Sequence, residues 1–191
     1  MIVDFKIFEG FGDISGNMKE PFIITKIPKR LNVTLDDRII FSNVNRINFE
    51  ETTKYQNISF KPNDLWYGFG DIWLKFIKTT NMNKKYTKIH KIEITDKVLL
   101  LKNREDMINF SLKFGNVFRF PKLHQIEQGS ISTINWDKVS KLYSGIEIRN
   151  PYDFETNVNN LEIHLTWLNG WDISSGCIWS KDGIEYIKNI Y

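Results

Sequence analysis

Leu65-Trp66-Tyr67-Gly68-Phe69-Gly70-Asp71-Ile72-Trp73-Leu74-Lys75-Phe76-Ile77 is the first of two stretches that decide the fold class. Its first six residues are apolar and punctuated by glycine, which predicts a strand opening into a turn. Asp71 is placed to cap a helix running to Ile77. Trp73 and Ile77, and Ile72 and Phe76, are four apart and share helical faces. The second stretch, Asn135 to Ile148, has the opposite order. Asn135 caps a helix from Trp136 to Tyr143, Ser144-Gly145 stops it, and Ile146-Glu147-Ile148 forms a short strand.

Working outward, Arg38–Ser42, Thr87–Ile94, Val98–Leu101 and Ser174–Trp179 have the β-branched and aromatic character of strands. Residues 104–114 predict a helix. Glu105 and Asp106 suit its first turn, and Met107, Phe110 and Phe114 give an apolar face that Ile108 and Leu112 widen. Residues 115–134, with Gly115, Pro121 and Gly129, have the composition of a loop. A short helix is expected after Trp179. Strands and helices of uneven spacing predict an α+β fold: a single compact domain with short antiparallel or mixed sheets and two or three helices. Residues 1–35 hold strand-like runs at 2–8 and 21–27. They form either edge strands or an appended hairpin beside the main domain, 36–191.

With 191 residues, the chain has the length of one ordinary domain. Its 14% aromatic content supplies a large core and excludes wholesale disorder. A formal charge of +3 is mildly basic, a weaker footprint than nucleic-acid modules usually show. One cysteine, Cys177, excludes an internal disulfide, and its apolar strand makes it core material rather than a nucleophile. The histidines at 90, 124 and 164 lack metal-ligand spacing, so no metal is expected. Neither secretory signal nor apolar span is visible, which predicts an intracellular, cytoplasmic protein with no membrane partner.

Several residues carry two readings. Glu147 points opposite to its flanking isoleucines, so it is a solvent-facing strand residue or a carboxylate at a strand mouth. Trp66 and Tyr67 face opposite ways, and each is either core or an aromatic wall for a flat ligand. Asp172, with Ser174, Ser175 and Gly176, is a turn or a sugar or phosphate contact. The lysines of 78–91 are a solvated surface or a phosphate-attracting rim.

Three motifs carry a resemblance. They are Lys61-Pro62-Asn63-Asp64-Leu65-Trp66-Tyr67, Tyr143-Ser144-Gly145-Ile146-Glu147-Ile148, and Trp167-Leu168-Asn169-Gly170-Trp171-Asp172-Ile173-Ser174-Ser175-Gly176-Cys177-Ile178-Trp179. Together they are similar to proteins of large DNA viruses, phages and microbes, which adds the host cytoplasm or a virion as locations. The layout also resembles the ADP-ribosyltransferase fold. That resemblance implies NAD in a cleft, a histidine or arginine on the first core strand, a tyrosine or serine on the next, and a glutamate on a later one. Mapped here, Arg38–Ser42 is the first strand, Tyr67 lies on the second, and Glu147 supplies the carboxylate. Glu147 and Tyr67 are then the catalytic candidates, and Ser42, Arg46, Trp66 and Asp172 the NAD-binding ones. No histidine lies on the first strand, and Asp64 and Gly68 depart from the motif, so a retained fold without catalysis is a second implication. The leading expectation is a transferase moving ADP-ribose to a protein or nucleic-acid acceptor. A non-catalytic virus or host interaction module and a nucleic-acid-associated protein are the alternatives.

Overall fold

Four residue steps separate Ile94 from Val98, yet the strands they belong to stand at the sixth and first positions of one sheet. A flat sheet would hold those strands about 24 Å apart. The connection reaches at most about 14 Å. The sheet is therefore curled, and its inner face carries an apolar cluster.

The computed structural model describes residues 33–51, 59–80, 86–120, 129–151 and 162–191. The expectations for residues 1–32, for His124, and for Lys84 and Lys85 lie outside these. Within them the chain runs β1 (Arg38–Ser42), β2 (Leu65–Phe69), α1 (Ile72–Thr79), β3 (Lys88–Ile94), β4 (Val98–Leu101), α2 (Arg104–Phe114), β5 (Gly115–Phe120), β6 (Gly129–Ile134), α3 (Trp136–Ser140), β7 (Gly145–Ile148), β8 (Ser175–Ile178) and β9 (Ile184–Asn189). A 3-10 helix spans Glu162–Gly170 and a short one Lys181–Gly183. Seven strands form the main sheet in the order β4-β7-β8-β2-β1-β3-β9, and β5-β6 is a separate antiparallel pair. Only β4 and β7 run parallel, joined by the long connection through α2, β5, β6 and α3. The fold is α+β with a curled mixed sheet and few helices.

The two faces follow from strand alternation. Ile40, Leu65, Tyr67, Phe69, Ile92, Val98 and Ile178 fill the inside of the curl. On the outside, α1 covers β1 and β3 with Trp73, Leu74 and Ile77. Helices α2 and α3 and the longer 3-10 helix cover β4, β7 and β8, with Trp136, Trp167, Trp171 and Trp179 all fully buried. Three of these indoles are satisfied: Trp136 donates to the Ser59 carbonyl, Trp167 to Ser111 Oγ and Trp179 to the Tyr143 carbonyl.

Five expectations need correction. Residues 115–134 contain the hairpin strands β5 and β6, because Ser130-Ile131-Ser132-Thr133-Ile134 alternates as a strand should. Ser174–Trp179 does not hold the final strand: after the short 3-10 helix Lys181–Gly183, which stands where a short helix is expected, the chain ends in β9, which pairs with β3. On α2, Leu112 points to solvent and Ser111 is buried instead, bonded to Trp167. Helix α3 stops at Ser140, and Gly145 belongs to β7, where a Cβ would meet the Cys177 carbonyl oxygen at 2.8 Å. Asp71 precedes α1 but makes no capping bond through its side chain; its carboxylate pairs with Lys75. Asn103 and Asn135 do cap α2 and α3, accepting from the amides of Asp106 and Lys138.

Candidate functional site

Register brings the site together. Tyr67 on β2 pairs with Gly176 on β8, which pairs with Glu147 on β7. All three face the inside of the curl. Gly176 has no side chain, so the Tyr67 phenol lies across β8 and reaches the carboxylate two strands away. A Cβ on Gly176 would sit 2.2 Å from Tyr67 Cζ.

Glu147 is 2% exposed, which corrects the solvent-facing reading. Tyr67 Oη donates to its Oε2 at 2.8 Å, and Arg38 Nε donates to the same oxygen at 2.5 Å. Arg149 Nε donates to Oε1 at 3.1 Å, with Arg38 Nη2 at 3.4 Å. Each oxygen thus receives two donors, which fills the four acceptor sites a carboxylate offers. Burial, and then the neighbouring carboxylate, push the Tyr67 hydroxyl well above its ordinary value, so it remains a donor. The Arg38 guanidinium is raised by its bond to Glu147, against the opposing pull of burial.

The cluster continues outward as a chain of alternating charge. Asp36 pairs with Arg149, Arg149 and Arg38 with Glu147, Arg38 with Glu93, Glu93 with Lys91, and Lys91 with Asp37. Arg149 also stacks on Phe69, its guanidinium carbon 4.5 Å from the ring centroid. The ion pairs join the 33–37 turn, β1, β3 and β7. Arg38 and Arg149 were not among the sequence candidates, though Arg38 heads the expected first strand.

The other candidates lie elsewhere. Ser42 stands four residues along β1 from Arg38, about 13 Å away. Its hydroxyl bonds the Val44 carbonyl and contacts His90 Nε2 at 2.9 Å. The same His90 nitrogen lies 3.0 Å from the Val44 carbonyl, which can only accept, so that nitrogen carries a proton and cannot serve Ser42 as a base. Arg46 is exposed in the turn beyond. Trp66 faces the outside of the curl, 4.8 Å from the Trp171 ring. Asp172 joins it there through Lys61, whose amine is 2.9 Å from the carboxylate and 5.8 Å from the Trp66 centroid. Burial lowers the Lys61 amine and its bond to Asp172 opposes that. The sheet therefore separates Trp66 and Asp172 from Tyr67 and Glu147. Cys177 is fully buried, and its thiol is pushed well above its ordinary value by burial, which leaves it unreactive.

Among the described residues, Glu147 and Tyr67 are both too buried to present a surface to a ligand the size of NAD. A ligand of that size takes a pocket of roughly 300–1,000 Å³. The opening next to Tyr67 is an apolar cavity of about 40 Å³ beneath α1, lined by Phe41, Trp66, Trp73 and Tyr86. It lies on the outer face, away from Glu147. Grooves of about 350 and 710 Å³ are lined by other residues. Among the described residues no group of three or more His, Cys, Asp or Glu side chains could hold a metal, and no helix is long and apolar enough to cross a membrane. Comparison with protein-family models, curated proteins and solved structures finds no match.

Proposed function

We propose that this chain is a non-catalytic binding module in which Arg38, Tyr67, Glu147 and Arg149 hold the curled sheet together. The observation that carries this reading is the saturation of Glu147: both oxygens are occupied and the side chain is 2% exposed. A carboxylate that supports a developing cation must reach the reacting atom. This one is spent on internal donors.

A second reading has an observation of its own. An arginine on the first strand, a tyrosine on the second and a glutamate on a later strand meet in one cluster, as the resemblance to ADP-ribosyltransferases implies. Arg38 then takes the first-strand role. That reading requires Arg149 to leave Glu147.

Calorimetric titration with NAD, ADP-ribose and ATP separates the two. The binding-module reading expects no heat from the parent chain or from Arg149→Ala, which uncovers one carboxylate oxygen. Heat with NAD that disappears in a folded Glu147→Gln variant would establish the transferase-like site instead. Of the lysines of 78–91, two have described side chains. Lys88 is half-buried, and Lys91 is already paired with Asp37 and Glu93.

A further inference from the structure

The β5-β6 hairpin has two edges, and among the described residues only that of β6 is covered. Ile134 of β6 donates its amide outward to the Ser59 carbonyl, and Ser132 donates outward to Thr166 Oγ1. Those residues therefore occupy the non-hydrogen-bonded positions opposite Gly115 and Val117. The same alternation makes Arg119 opposite Ser130 a third such position. On β5, then, the N–H and C=O groups of Val117 and Arg119 point away from β6. Among the described residues no strand pairs with that edge.

A groove of about 710 Å³ runs along it. One wall is the consecutive run Gly115, Asn116, Val117 and Phe118, and the other is Asn135, Lys138 and Lys141 at α3. Consecutive residues of β5 line it and no described residue of β6 does, which puts the groove on the side of β5 away from β6. Phe118 is 41% exposed at this edge. Arg119 and Lys138 are exposed cations around it, while Lys141 and Asp137 pair with each other at 2.7 Å.

We propose that the free edge of β5 captures an extended acidic segment of a protein partner as a third strand, in the groove against α3. Backbone pairing to Val117 and Arg119 supplies the register, Phe118 takes an apolar side chain, and the cations select carboxylates on alternate positions. A second copy of this chain pairing edge to edge would bring the same cations together, which disfavours it. The inference rests on the binding-module reading and names its surface.

The test begins with random dodecapeptides displayed on phage and selected on the full chain. Enriched peptides are then synthesised and measured by fluorescence anisotropy. The expected winners are acidic and alternate apolar with polar residues. Lys138→Glu/Lys141→Glu should weaken them roughly tenfold or more, as should N-methylation of two alternate peptide amides. Bound peptide should slow hydrogen exchange at Val117 and Arg119. The proposal is overturned by neutral or basic winners, by N-methylation without effect, or by protection elsewhere. It is also overturned if an oligo-dT strand or a concentration-dependent dimer occupies β5 in preference to the peptides. The N-methyl comparison leaves the protein untouched, so a folding defect in the double variant cannot decide the result. Peptide failure with no response to NAD would remove this surface and leave the binding-module reading. Glu147-dependent NAD binding would remove that reading whatever the peptides do.

Discussion

Glu147 is the residue on which the interior of the sheet turns. Removing it leaves Arg38, 17% exposed, and the Tyr67 hydroxyl facing an emptied position. Breaking a buried ion pair from one side costs about 3–5 kcal/mol, because the remaining charge is stranded. At roughly 2–4 °C per kcal/mol for a chain of this size, Glu147→Ala should lower the melting temperature by about 6–20 °C. Arg38→Met/Glu147→Leu, which removes both charges, should recover much of that loss in the same thermal melt. Equal loss in the double variant would show that the pair is not what stabilises this region. The sequence carried part of this site. Alternation placed Glu147 opposite its isoleucines, and the resemblance paired it with Tyr67. It did not show that the opposite side was buried, because only the curl of the sheet makes it so. Arg38 was legible in principle, as the one charge heading the apolar run Ile39-Ile40-Phe41.

At the scale of elements, β8 works by what it lacks. Gly176 lets Tyr67 lie across the strand, so Gly176→Ala puts a methyl group into the phenol ring. Overpacking of this kind costs about 1–3 kcal/mol. Shortening the tyrosine should relieve it. The alanine is therefore expected to be costly in the parent and nearly neutral beside Tyr67→Leu, a non-additivity that a double-mutant cycle in urea would read. Additive costs would count against the contact. The strands Arg38–Ser42, Leu65–Phe69 and Val98–Leu101 were legible from composition, and α2 from its Met107, Phe110 and Phe114 spacing. What escaped was pairing. Residues 115–134 have the glycine and proline content of a loop, and composition does not announce that β5 and β6 pair with each other. Strand β9 is half polar, and its place is set by β3 rather than by any apolar pattern of its own.

For the whole molecule, His90 couples stability to acidity. Burial lowers its pKa below the usual 6.5, with Lys88 adding to the shift and the Val44 carbonyl opposing it. The unfolded chain therefore takes up a proton at higher pH than the folded one. The contribution of His90 is fully present above about pH 6.5 and is lost as pH falls toward the lower folded value. Urea midpoints measured from about pH 7.5 down to pH 5 should fall in the parent, and the slope should be shallower in His90→Gln. An unchanged slope would assign the acid sensitivity to other groups.

The tryptophans beneath the sheet lead somewhere different. Trp66 lies 4.8 Å from Trp171, Trp171 5.9 Å from Trp167, Trp167 6.1 Å from Trp136, and Trp136 6.1 Å from Trp179, centroid to centroid. At such separations the indoles' transition dipoles couple, and excitation hops along the array before it is emitted. Five of the chain's six tryptophans therefore share their excitation, and that shared optical signature exists only while the layer around them is assembled.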